Sequence, residues 1–224
     1  MTPQSIMIFG AGLGTRMRHL TADRPKPLVE VAGRPLIDHA LDLTEGLHLT
    51  RVVNTHYRAD QLARHLDGKA LISHEETLLE TGGGLRHARP LLGEGPVFTL
   101  NSDAIWRGPN PLVTLQNAWD PRMEGLLLLL PKANALGHSG NGDFTLDAQG
   151  RITRAPDHIY SGAQILRTEG LEGIGENIFS LNLLWNEMIA RGTLYGVVYD
   201  GEWCDVGQPE SIATAEALLD FAHA

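Results

Sequence analysis

The residues between Gly10 and Pro27 combine side-chain types that handle phosphate. Gly10, Gly12 and Gly14 fall at alternate positions with Ala11 and Leu13 between them, Thr15 and Arg16 follow, and Lys26 stands between Pro25 and Pro27. Glycines let backbone amides approach an anion closely, Arg16 offers a planar fork of donors, and flanking prolines hold the compact Lys26 charge still. A triphosphate fits this cradle. Gly12 and Gly14 would aim amides at its oxygens, helped by the N-terminus of a short helix, while Lys26 would meet charge building on the α-phosphate. The plainer use of the same residues is a tight turn carrying two solvated cations.

Two carboxylates could complete such chemistry. Asp103 ends the run "PVFTLNSD" and Asp205 sits in "WCDVGQPE". Far apart in sequence but converging in space, they would hold Mg²⁺ by one or two oxygens and leave the remaining positions to substrate and water. Each could instead serve a turn, Asp103 as a cap and Asp205 ahead of Gly207. Other chemistries fail on spacing. A P-loop requires Gly-Lys-Ser/Thr, whereas Lys26 lies between prolines, and "GAGLGT" followed by a strand ending in Asn54 and Thr55 does not meet the dinucleotide fingerprint. The histidines form no H-E-x-x-H pattern, and the single cysteine, Cys204, excludes an internal disulfide and a thiolate zinc cluster.

The elements that must position these residues alternate. "SIMIF" predicts a strand feeding the glycine turn. "RPLIDHALDLTEGL" predicts a helix capped by Gly46, "RVVNT" a strand, "ADQLARHL" a helix, "ALISH" a strand and "GGLRHARPLL" a helix. "PVFTL" predicts a strand that delivers Asn101, Ser102 and Asp103 at its carboxyl end. The expected fold class is therefore α/β: a Rossmann-like, mostly parallel mixed sheet with helices on both faces, binding ligands at the carboxyl ends of its strands. In the second half "GLLLLL" reads as a buried strand stopped by Pro131, "KANALGHSGNGD" as a loop over the substrate and "DFTLDAQGRITRA" as a hairpin. "IYSGAQIL" and "YGVVYD" read as strands, "NIFSLNLLWNEMIARG" as a helix capped by Gly192, and Pro209 as a first-turn residue of the closing helix. No linker or repeat interrupts the chain, so residues 1–224 read as one domain, with a nucleotide-binding half of about 1–110 and a sugar-binding half of about 111–224.

The stretch from Gly10 to Pro27 resembles the motif of sugar-1-phosphate nucleotidyltransferases, A-A-G-x-G-T-R, a short spacer, then P-K-P. Gly12, Gly14, Thr15, Arg16, Pro25, Lys26 and Pro27 match in place; Gly10 stands where alanine is usual and His19 where proline is common. The resemblance implies the nucleotide-diphospho-sugar transferase type of fold, Arg16 and Lys26 as catalytic residues, and Asp103 and Asp205 as Mg²⁺ ligands. It adds Ala11, Gly12, Gly14, Thr15 and Asn101 to the nucleotide site. "HEETLLETGGGLRHA" resembles the family's base-reading segment. By that match Glu75 accepts from a base N–H, with Glu76 the alternative, and Glu80 with Gly82 and Gly83 brings backbone against base and ribose. "GHSGNGDF" and "YSGAQIL" would shape the sugar pocket through Gly142, Asp143 and Gly162, Asp143 being equally a hairpin-edge residue. Together with "LETGGG" these stretches are similar to the branch that uridylylates N-acetylmuramate 1-phosphate in cell-wall recycling. Guanylyltransferases of mannose 1-phosphate and thymidylyltransferases of glucose 1-phosphate are the neighbouring alternatives, and a nucleotide sensor without turnover is the alternative of another class.

Composition sets outer limits. With 18 Lys and Arg against 27 Asp and Glu the net charge is −9, which disfavours a sequence-independent nucleic-acid binder. The first residues show no basic segment followed by a long apolar stretch, and the leucine run from Leu126 to Leu130 is too short to span a bilayer. The expected partners are thus a nucleoside triphosphate and a sugar 1-phosphate, without nucleic acid or membrane, in a cytoplasmic monomer or weak homodimer. No hexapeptide-like repeat follows Asp205, so no β-helical extension is expected.

Overall fold

The apolar runs are buried on both faces, and that dictates the architecture. In "SIMIF", Ile6 and Ile8 enter one core while Met7 enters another; in "GLLLLL", Leu126, Leu128 and Leu130 enter the first and Leu127 and Leu129 the second. Strands with a side-chain period of two and no polar face need layers on each side. In the computed structural model, which describes residues 2–220, helices supply them.

The strands of the first half are β1 (Ser5–Phe9), β2 (Glu30–Val31), β3 (Arg34–Pro35), β4 (Thr50–Thr55), β5 (Leu71–His74), β6 (Pro96–Asn101) and β7 (Ala104–Arg107). Those of the second are β8 (Gly125–Leu130), β9 (Ala135–Leu136), β10 (Phe144–Leu146), β11 (Ile152–Arg154), β12 (Ile159–Arg167), β13 (Leu194–Val198) and β14 (Glu202–Asp205). The helices are α1 (Leu36–Asp42), α2 (Ala59–His65), α3 (Glu80–Leu92), α4 (Pro111–Ala118), α5 (Asn182–Arg191) and α6 (Ser211–Asp220). A seven-stranded sheet runs β13-β8-β12-β6-β1-β4-β5, in which β12 alone is antiparallel to both neighbours. Apolar residues of α1, α2 and α4 cover one face, and those of α3 and α5 the other. The mostly parallel mixed sheet expected from the sequence is present.

A small sheet, β7-β14-β9, lies beside the large one and sets Asp205 opposite Ala104. The amide of Val206 donates to Asp103 O at 2.8 Å, so both aspartates leave this sheet at one edge. α6 packs behind it through Ala215 and Leu218, which share a core with Met17, Val29, Cys204 and Val206. The glycine turn and Asp205 thereby rest on a common support.

Several element boundaries depart from the expected ones. α1 ends at Asp42, not at Gly46, because the Thr44 hydroxyl donates to Leu41 O at 2.6 Å and closes the helix early. α5 starts at Asn182 rather than near Asn177. Phe179 O accepts from the amides of Gly82 and Gly83, and Leu181 N donates to Thr81 Oγ1, so this stretch is tied across to α3 instead of coiling. Pro209 occupies the turn before α6, and the expected end of that helix, 221–224, lies outside the described residues. "KANAL" is not all loop, since it forms a short 3-10 turn and β9. The short helix expected after the glycine turn is a 3-10 segment, Thr15–Thr21, broken at Arg18.

Candidate active site

β1 ends where the chain must turn. Gly10 N donates to Asn54 Oδ1 at 2.7 Å and Ala11 N to the same oxygen at 3.3 Å, so the end of β4 holds the start of the turn. Asn54 Nδ2 in turn donates to Glu75 Oε1 at 2.7 Å, and Glu75 Oε2 accepts from Leu79 N at 2.9 Å. Ser102 Oγ, just past β6, donates to Phe9 O at 2.6 Å. Four adjacent strand ends, those of β6, β1, β4 and β5, are thus laced together by polar side chains, all of them buried, where hydrogen bonds left unmade would be costly.

The laced ends form the floor of a cavity of about 360 Å³ lined by Ala11, Gly12, Lys26, Glu75, Asn101 and Asp103, among others. Nothing lies within 4 Å of where a Gly12 side chain would project, leaving that backbone open to an incoming group. Gly14 has a different task. At φ 65° it reverses the chain, and a side chain there would press within 3.0 Å of Lys26 Cβ and Thr21 Cγ2. The turn therefore sits against the Lys26 stem. Lys26–Leu28 forms a 3-10 turn, with Pro25 ahead of it, that presents Lys26 inward, where Nζ donates to Asp103 Oδ2 at 2.5 Å, both side chains being mostly buried.

Asp205 joins this pair from β14. Burial first, and then the charge of Asp103, push its carboxyl above the usual carboxylate range, while Lys26, Arg16 and His138 pull it back. Arg16 and Asp205 flank Gly207, where a methyl group would meet Asp205 Oδ2 at 3.0 Å and Arg16 Nη1 at 3.3 Å. Arg16 and Thr15 are exposed at the rim, outside the cavity wall. Among the described residues no group of three or more His, Cys, Asp or Glu side chains could hold a metal ion. Asp103 and Asp205 are two hard oxygen donors whose mutual repulsion a divalent cation would relieve. That donor set fits Mg²⁺, which needs few protein ligands.

A second cavity, of about 260 Å³, shares Phe9, Thr81, Asn101 and Ser180 with the first. Asn101 thus stands at the junction. The far wall carries Asp143, Arg154, Gln164, Asn182 and Trp185. Asp143 Oδ2 accepts from Tyr160 N at 2.9 Å, and Trp185 Nε1 donates to Gln164 Oε1 at 2.9 Å.

Three glycines named in the sequence are not among the residues that line either cavity. Gly83 donates its amide to Phe179 O at 3.0 Å, and a Cβ on it would strike Asn177 O at 2.6 Å, so its amide and its open side both meet the chain itself. Gly162, at φ 85°, sits in the bulge of β12, where a Cβ would lie 2.7 Å from Asn101 Nδ2; it supports Asn101 from behind. Gly142, at φ 112°, turns against the Asp157 backbone, 2.5 Å from where its own Cβ would be. Of the two candidate carboxylates, Glu75 points inward and Glu76 is exposed. Glu80, at φ 60°, and Thr81 line the first cavity at the start of α3. Asn54 and Arg154 were not among the residues expected from the sequence. A polar residue closing the apolar strand "RVVNT" was the available signal for Asn54.

Residues 5–155 match the model of the family described as Nucleotidyl transferase. The chain belongs to that family. This nucleotidyl transferase is 44% identical over 236 residues to the N-acetylmuramate alpha-1-phosphate uridylyltransferase of Caulobacter vibrioides, covering 97% of each chain. It is 31% identical to the protein of that name from Neisseria meningitidis, covering 95% of this chain and 96% of the relative. Among solved structures it superposes on a putative glucose-1-phosphate thymidylyltransferase from Bacillus anthracis with a TM-score of 0.80 at 16% identity, over 96% of this chain and 94% of that one. That likeness concerns the fold alone. No described helix of this nucleotidyl transferase is long and apolar enough to cross a membrane.

Proposed function

We propose that this enzyme transfers UMP from UTP to N-acetylmuramate 1-phosphate and releases pyrophosphate. The observation that carries the reaction type is the 2.5 Å Lys26–Asp103 contact in the wall of a cavity whose neighbour shares Asn101 with it. A cation and a carboxylate in the wall of the first cavity, which opens past Asn101 to the second, are where a phosphorus should change partners. The choice of base and sugar follows the Caulobacter vibrioides relative. Residues 1–110 and 111–224 act as one catalytic unit, since Phe9, Thr81 and Asn101 of the first half line the sugar-side cavity of the second.

The Gly12 amide and Arg16 receive the triphosphate, with Ala11, Gly14 and Thr15 shaping the turn. The Glu75 carboxylate, held by Asn54 and Leu79, keeps lone pairs for a base N–H. An oxygen of the sugar phosphate attacks the α-phosphorus in line, and the bond to the departing pyrophosphate breaks. The attacking phosphate is already ionised, so no general base and no covalent enzyme intermediate are required. Lys26 stabilises charge on the α-phosphate. Asp103 and Asp205 would hold Mg²⁺, which when bound neutralises phosphate oxygens. Asp143 keeps Oδ1 for sugar hydroxyls.

Pyrophosphate release from four nucleoside triphosphates crossed with several hexose and amino-sugar 1-phosphates tests this reading. UTP with N-acetylmuramate 1-phosphate should be the best pair. A better pair elsewhere in the matrix overturns the specificity, and no pyrophosphate from any pair overturns the reaction.

A further inference from the structure

One cation lines the sugar-side cavity with no carboxylate to answer it. Arg154 closes β11; its Nε donates to Asn186 Oδ1 at 2.9 Å and its Nη2 to Asn182 Oδ1 at 2.8 Å. Both partners are neutral amides one turn apart on α5, so they aim the guanidinium without cancelling its charge. Asn182 is itself oriented: its Nδ2 donates to Ser180 Oγ at 2.9 Å, which leaves Oδ1 to accept. The guanidinium carbon lies 5.2 Å from the centroid of the Phe144 ring, a further restraint on its position. Among the described residues nothing takes the hydrogens of Nη1. Arg18, Arg34, Arg89 and Arg191, by contrast, face carboxylates on the surface. The acid of the same cavity wall, Asp143, engages the Tyr160 amide rather than Arg154.

A fixed guanidinium in a sugar pocket matches an anionic substituent on the sugar. The reacting phosphate does not meet that description, because it must approach Lys26 and Asp103, which line the other cavity and not this one. N-acetylmuramate differs from N-acetylglucosamine by a lactyl ether that ends in a carboxylate. Resting on the function proposed above, we infer that Arg154 is the specificity-determining residue that binds this lactyl carboxylate through its unused donors. Planar forks suit carboxylates, and a neutral amino sugar would cover the guanidinium while giving it nothing to pair with. The pocket therefore selects acidic over neutral hexosamine 1-phosphates by both attraction and penalty.

The test compares wild type, Arg154→Gln and Arg154→Lys with UTP and Mg²⁺. N-acetylmuramate 1-phosphate is the substrate. N-acetylglucosamine 1-phosphate is read as a substrate or, where it is not turned over, by its inhibition constant. Arg154→Gln should raise KM for the acidic sugar by about tenfold or more, the usual worth of a charge-assisted hydrogen bond. The constant for the neutral sugar and KM for UTP should stay within about twofold, which also reports an intact fold. Arg154→Lys, keeping the charge but not the fork, should fall between. Equal losses on both sugars would make Arg154 a phosphate-binding or structural residue, and no loss on either would remove it from recognition; both overturn the inference. A wild type that prefers the neutral sugar instead sinks the parent reading, a result distinct from either.

Discussion

The two joined cavities are built in different ways. On the nucleotide side, β1, β4 and β6 are neighbouring parallel strands, and Asn54, Glu75 and Ser102 bind their ends into one buried network. On the sugar side the wall comes from the β10–β11 hairpin, the bulge of β12 and the N-terminal turn of α5, joined by exposed contacts such as Arg154 to Asn186. The first is a rigid floor beneath a chemical step common to many substrates. The second adds two surface pieces, the hairpin and the turn of α5, to a buried bulge of the sheet itself. On the proposed function, shared chemistry would reside where the core is continuous and substrate choice where surface pieces join it.

The sharpest way to break this contrast is to remove the cation of the floor. Lys26→Ala should lower kcat by about a hundredfold, as for loss of one transition-state donor, with much smaller effects on either KM. Steady-state pyrophosphate release measures it, and full activity at saturating substrate would end its catalytic role. Asn54→Ala leaves the Gly10 amide and one Glu75 oxygen without their partner, so it should cost about 2 kcal/mol of stability and raise KM for UTP. Urea unfolding of the variant checks the first part, and an unchanged midpoint would mean that the network carries little.

Smaller effects probe the other side. Gly162→Ala forces a methyl toward Asn101 at a left-handed φ and should cost about 1–2 kcal/mol. Its kinetic effect should fall on the sugar KM before the UTP KM; the reverse order would place Asn101 with the nucleotide alone. The smallest expected effect concerns Cys204. Burial, and then the Asp205 charge, push its thiol up to about 11, so alkylation of the folded protein should be negligible at neutral pH and rise only in strong alkali. Rapid labelling at neutral pH, followed by mass spectrometry, would contradict that burial.

The same contrast explains what the sequence made legible. Gly12 and Asp103 follow the ends of β1 and β6, and Lys26 sits in a Pro-Lys-Pro turn, so each belongs to a short contiguous stretch that can be read locally. The surroundings of Gly83 were not legible, because a glycine-rich helix start does not say which partner fills the missing side chain; here Asn177 does, and Phe179 O takes the amide, almost a hundred positions away. The helix expected from Asn177 looked amphipathic, but the hydrogen bonds to α3 that delay it are tertiary and leave no local periodicity. β7 and β14 are short and too polar at their ends to stand out, although their pairing is what brings Asp205 to Asp103. Arg154 looked like any hairpin charge until α5 was set beside it.

The charges around the nucleotide cavity have a kinetic consequence. Arg16 and Lys26 are the cations there, whereas Glu75, Glu80, Asp103 and Asp205 are formally anionic, in a chain of net charge −9. A bare triphosphate therefore drifts uphill on its way in. One that arrives already chelated brings its own counter-charge and meets little opposition. Added salt should accordingly hasten capture of the naked nucleotide rather than slow it, the reverse of a site that draws its ligand by long-range attraction.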